Sequence, residues 1–342
     1  MAAPAKLLHV MGLLGKIEST YGTAATPSTT SDGIQMQYKD RNVGAIATID
    51  YSFDGDLGPS VGALGQVIQA APSGRSVKAD IPLRARGAGT AYSASILPNI
   101  HTILKACGFD AAVTTTVSSE KWTYTPTGAG AGYSSMTNSL YCRGELWTAV
   151  GMLGSLKFDA PDVSPPLWTA GLMGILNALP SDASVPAITY PNQSVQPPLA
   201  SSVTFAFGTF TSNAVVRSSS FDLQRELSPR VAQSGSGGHL GFVPGDRKPI
   251  MKFTLEATAL AASPYTSANG FDPYSLRDLG TSLACSLQYG SAQYNRFKVA
   301  FPQCQVIAVD PSNDGPTATV DITVKAYNST AASNDDVSIV FD

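Results

Sequence analysis

The residues through which this 342-residue chain could run acid–base chemistry are three histidines, His9, His101 and His239. A Ser-His-Asp triad needs only one of them, and serines and aspartates are plentiful. No Gly-x-Ser-x-Gly elbow accompanies them. His101 falls on the polar side of a short amphipathic pattern, which predicts a solvated imidazole, and His239 follows a glycine-rich run. The carboxylate pairs Asp54/Asp56 and Asp335/Asp336 sit in turn-like sequence, whereas glycosidases need two carboxyls facing across a cleft. Trp122, Trp147 and Trp168 could stack a sugar, but aromatics in strands are more often buried. Cys107, Cys142, Cys285 and Cys304 form no Cys-x-x-Cys and none neighbours a histidine, which argues against zinc and for buried thiols in a reducing compartment. The glycine clusters at 128–132 and 235–238 match neither phosphate-binding pattern and predict mobile loops. No catalytic residue, metal or cofactor is expected.

Composition says what holds such a chain in solution. Charged residues make up only 14% against about 25% in ordinary domains, while hydrophobic residues make up 43%. The shortfall predicts that much of the surface is covered by other chains. A net charge of −3 leaves no basic footprint for nucleic acid. Residues 5–15 faintly resemble a signal peptide, but His9 interrupts the apolar run and no cleavage site follows. No stretch of about 20 apolar residues predicts a membrane span.

The elements follow from periodicity. Residues 16–33 are small and polar without a helical period and read either as disordered or as an arm that orders on a neighbour. Residues 77–85 alternate Val77, Ala79, Ile81 and Leu83 against Lys78, Asp80 and Arg84, a half-buried strand whose Pro82 favours an edge or bulge. Pro98 opens a short helix closed by Gly108. Strands are expected at 114–125, 139–147 and 153–159. Residues 180–199 read as a linker. Beyond it the order recurs: Met251 to Ala259 as a strand, a shortened helix at 273–280, then strong strands to Tyr327.

The recurrence has a residue-level echo. Ser52-Phe53-Asp54, Arg75, Ile81, Leu83 and Ala85 are matched in order by Ser220-Phe221-Asp222, Arg247, Phe253, Leu255 and Ala257. This predicts a mainly β chain built of two tandem β-barrel or sandwich domains, each with a short flanking α-helix. The expected boundaries are 1–44 for the arm and first strand, 45–199 for the first domain with its linker, and 200–342 for the second. The first is expected to carry a longer helix and an insertion at 111–138.

Several phrases resemble the tail tube proteins of long-tailed bacteriophages: Glu18-Ser19-Thr20-Tyr21-Gly22-Thr23 with Pro27, Leu104-Lys105-Ala106-Cys107-Gly108-Phe109, Asp246-Arg247-Lys248-Pro249, and Asp335 to Phe341. The resemblance implies a virion protein of the tail, assembled in the bacterial cytoplasm. Its rings would stack into a hollow tube that passes genomic DNA without sequence-specific binding. The implied partners are copies of itself and other tail proteins at the tube ends, with no membrane. Two domains per chain predict a trimeric, pseudo-sixfold ring, with a hexamer of whole chains as the alternative. Glu18 and Tyr21 in the arm and His239 in the inter-ring loop are the expected assembly contacts. Two other classes stay open: a carbohydrate-binding or adhesin module of a tail tip or capsid, and a hydrolase with a carboxylate or histidine site.

Overall fold

The computed structural model describes residues 11–37, 47–57, 67–128, 132–161, 164–199, 202–211, 215–231, 239–268, 270–330 and 333–342, with the backbone alone at 47–57, 67–75 and 239. The chain is mainly β. The first strands are β1 (Met11–Ile17), β2 (Ala47–Leu57) and β3 (Val67–Leu83), followed by α1 (His101–Ala106). Next come β4 (Phe109–Thr114), β5 (Lys121–Pro126), β6 (Met136–Cys142), β7 (Glu145–Ala160) and β8 (Leu167–Asp182). The later part holds β9 (Thr204–Phe207), β10 (Val216–Asp222), β11 (Leu227–Val231), β12 (His239–Pro244), β13 (Ile250–Glu256) and α2 (Pro273–Asp278). It ends with β14 (Leu283–Tyr289), β15 (Phe297–Asp314), β16 (Thr317–Tyr327) and β17 (Ser338–Phe341).

Local sequence explains the elements. In β3 the alternation places Val77, Ala79, Ile81 and Leu83 in the core and Lys78 and Asp80 outside, as a sheet with one open face requires. Pro82 lies beyond the last β2 partner, Ala79, so its missing N–H breaks no β2–β3 bond. Arg143 and Gly144 both have positive φ, 55° and 73°, as the tight turn joining β6 to β7 demands. Pro273 opens α2 behind Asp272, whose carboxylate accepts from the Tyr274 and Ser275 N–H groups. Both helices have six residues, so the longer first helix expected from Pro98 is not found. Residues 98–100 belong to the turn that precedes it.

Fifteen of the described strands join in one sheet whose main path runs β2-β3-β8-β7-β10-β13-β16-β15-β17-β5-β4. β1 pairs with β6 and β6 with β7; likewise β9 pairs with β14 and β14 with β15. The same pairing order therefore occurs twice, β3-β8-β7-β6-β1 and β13-β16-β15-β14-β9. Both sets share one hydrophobic core. β15 passes between two layers. Its start stacks over the first half, with Phe297 5.2 Å from Trp168 and 6.3 Å from Phe158, while its later part lies beside β16. A bulge at Ile307 interrupts the ladder between β15 and β16.

The register sorts the sequence echo into a sound part and a misleading part. Ala79, Ile81 and Leu83 pair with β8 as Met251, Phe253 and Leu255 pair with β16, and all six are buried. The Ser-Phe-Asp phrase is out of step. Phe221 faces Met251, but the partner of Ala79 is Ala47; Phe53, six positions further on, faces Pro72. The physical reason is that β2 and β3 continue as one long hairpin, whereas β10 and β13 are interrupted by β11–β12, a separate two-stranded sheet.

Candidate assembly interface

The arm closes on its own chain. β1 pairs with β6 from Met11↔Cys142 to Ile17↔Met136, and Glu18 continues with its N–H on the Ser135 carbonyl at 2.9 Å. The Glu18 side chain is 7% exposed. Its carboxylate accepts from Ser135 Oγ (2.5 Å), Thr137 Oγ1 (2.8 Å), and the N–H groups of Gly22 (2.8 Å) and Gly151 (2.9 Å). Four donors satisfy the buried charge without a cation. Tyr21 reaches β12, where its hydroxyl accepts from Phe242 N–H at 2.7 Å and donates to the Phe242 carbonyl at 3.2 Å. Burial pushes its phenol pKa up. Gly241 makes this approach possible, because a Cβ there would lie 2.1 Å from the Tyr21 hydroxyl. The polar atoms of Glu18 and Tyr21 thus have their partners within the chain, against β6, β7 and β12. His239 lies at the start of β12 and pairs with Val231. The glycine-rich run before it falls outside the described residues, as do His9 and residues 129–131. These three expected contacts converge on one region, since Glu18 and Tyr21 clamp the β7–β12 junction and His239 begins β12.

The other phrases are also internal fasteners. Arg247 grips Asp336 with Nε at 2.9 Å and Nη2 at 3.0 Å, joining the start of β13 to the approach to β17. Gly108, with φ 77°, leaves room for Arg225, whose Nη1 donates to the Cys107 carbonyl at 2.7 Å. Arg225 is 7% exposed and lies over the Tyr133 ring at 5.1 Å. Sequence reading passed over Arg225, which sits in an unremarkable loop after β10; only Gly108 hinted that something approaches the helix end closely.

The chemistry-bearing residues do not gather. His101 Nδ1 bonds the Tyr124 hydroxyl at 2.7 Å and its ring packs edge-on against Trp122 at 5.1 Å. Burial, and secondarily Lys105, lowers its pKa to about 4. The solvated imidazole expected there is corrected: strand β5 covers it. Trp168 is fully buried and Trp122 is 7% exposed, so these indoles form core rather than a platform. All four cysteines are free and buried. No helix among the described residues is long and apolar enough to cross a membrane.

What remains open is edges and one face. At β7, β8 runs along one side, while β6 (to Met152) and β10 (from Lys157 to Ala160) share the other. At β15, β16 holds one side of residues 303–314. On the other side β14 stops at Cys304, and no described strand follows it along residues 308–314. Pro311 removes a donor from this edge, a common feature of edge strands. At the far end of the path, β2 pairs only with β3 among the described residues. The open face carries Lys78, Asp80, Lys157, Asp159, Lys252 and Asp310, all exposed. A shallow groove of about 460 Å³ runs along it between β7 and β15. There Ser218 Oγ donates to Thr254 Oγ1 at 3.0 Å and Thr254 to Asp321 at 2.5 Å. No protein-family model matches the chain, and no curated protein matches it.

Proposed function

We propose that this chain is a structural subunit that polymerises as stacked rings into the hollow tail tube of a long-tailed bacteriophage, through which DNA is delivered. The two repeated pairing sets are two copies of one tube domain, and the ring is a trimer with pseudo-sixfold symmetry.

One observation carries this reading. Inside the chain, β10 of the second set completes the edge of β7 beyond the end of β6. Among the described residues the corresponding edge of β15 beyond β14 has no strand beside it, and neither does the outer edge of β2, the strand that opens the first set. Pairing β2 of one chain with β15 of the next repeats the internal junction between subunits and closes the ring without free edges. Eight strands from each of three chains make a cylinder of twenty-four. At about 4.8 Å per strand its backbone diameter is about 37 Å, widening to about 48 Å at a tilt of about 40°. The face left for the lumen is polar with both charge signs mixed. DNA would slide over such a surface, since it has no cationic track to retain phosphates.

Electron microscopy of the purified protein tests the reading. Long tubes with a regular axial repeat and three chains per ring are expected. Discrete particles at every concentration would overturn it, and tubes with six whole chains per ring would remove the trimer alone.

A further inference from the structure

The internal junction involves more than a pair of edges, and among the described residues nothing covers its counterpart on the second set. After β10, Arg225 seals the end of α1, and β12 lies against β7 and β8. Under this cover Cys107, the residue capping α1, is completely buried, and β7 is buried on both faces from Ala149 to Gly154. α2 ends in the same way as α1. Gly108 and Gly280 have φ of 77° and 61° and donate to Lys105 and Arg277 carbonyls respectively. The residue matching Cys107 is therefore Leu279, and it is 61% exposed. Beside it, Gln305 Nε2 donates to the Gly280 carbonyl at 2.6 Å, and Ile307 bulges from β15 with 44% of its surface exposed. Tyr327, opposite Gln303, is 37% exposed.

We propose that this apolar patch, Leu279 and Ile307 with Tyr327 at its margin, is the docking surface for the β2–β3 hairpin of a second copy of the chain. The hairpin arms outside the Ala47↔Ala79 pair, residues 50–57 and 67–76, occupy the place in the first set that β11–β12 occupies in the second. Where β2 extends β15, the outer arms are carried over the end of α2, as β11–β12 are carried past the end of α1. The second copy is chosen over a foreign partner because the chain already contains this interface once, in cis. The inference rests on the ring proposed above and deepens it by naming the element that covers the patch.

The test is a photoreactive benzoylphenylalanine replacing Ile307 in the full-length protein, with isotopically heavy and light chains mixed before assembly. The expected product is a heavy–light crosslink from position 307 to a peptide within residues 50–76. It should appear in assembled protein and be absent from monomer. Crosslinks to another segment, or only within single chains, overturn the proposal. Assembled rings that give no crosslink overturn the hairpin assignment and leave the ring standing; a protein that neither assembles nor crosslinks removes both. In parallel, Leu279→Asp and Ile307→Asp should keep the monomer's circular dichroism. They should raise the concentration needed for assembly by more than about tenfold, and an unchanged threshold counts against the patch.

Discussion

At the scale of single residues, the side chains with the most demanding surroundings act as fasteners. Glu18 presents a carboxylate to four donors in a nearly dry site. Glu18→Ala leaves the N–H groups of Gly22 and Gly151 and the hydroxyl protons of Ser135 and Thr137 without their acceptor, and each donor left buried and unpaired costs about 1–3 kcal/mol. A loss of about 3 kcal/mol in urea unfolding is expected. Tyr21→Phe removes one hydroxyl that serves both groups of Phe242, at a cost of about 1 kcal/mol, with faster amide exchange confined to β12 as its mark. His101 gives the pH dependence. Its folded pKa of about 4 lies below the ordinary 6.5, so the unfolded chain takes up the proton first. The stability held by the neutral imidazole is complete above pH 6.5. It declines as pH falls towards 4 and levels off below that, by at most about 3 kcal/mol. A proton NMR titration should show no inflection for His101 near pH 6.5; one there contradicts its packing against Trp122 and Tyr124.

At the scale of elements, the legible parts of the sequence were those governed by a short period. The alternation in residues 77–83 and 251–255 and the glycine endings of α1 and α2 are local, and the structure has them in place. β1 was not legible: its interrupted apolar run suggested no strand, yet Leu13 and Leu14 are core residues of a strand whose partner lies more than a hundred residues away. β11–β12 were hidden for a similar reason, since the glycine-rich run between them obscures the hairpin around it. The open edge of β15 could not be read at all, because an edge is defined by which strand is missing beside it. Sequence supplied Glu18 and Tyr21 from a phrase, but not their partners Gly151 and Phe242. The clearest element-level prediction concerns the end of α1. Gly108→Ala places a Cβ 1.5 Å from Arg225 Nη1 and strains a φ of 77°. Loss of about 2–4 kcal/mol is expected, and Arg225→Ala in the same background should add little because the contact is already gone.

At the scale of the whole molecule, the two pairing sets are stitched together at two seams. β10 adds to β7, and β17 is held between β15 and β5. β4 and β5 overlap the insertion expected at 111–138, and β5, the strand between β4 and β17, pairs with β17 of the second set. Stability should therefore be cooperative across the chain. A single unfolding transition is expected by both fluorescence and far-ultraviolet circular dichroism; two transitions separated in denaturant would mean that the halves fold apart.

The β17 seam has a consequence for the order of events during synthesis. Tyr124 of β5 sits against Phe341, and Ile339 lies opposite it in the ladder. Until residues 338–341 leave the ribosome, β5 has an unpaired side and β15 has only β14 beside residues 297–300. The chain cannot complete its fold one half at a time from the amino end. A product lacking β17 would retain a raw edge inside its body, where it should be open to proteases.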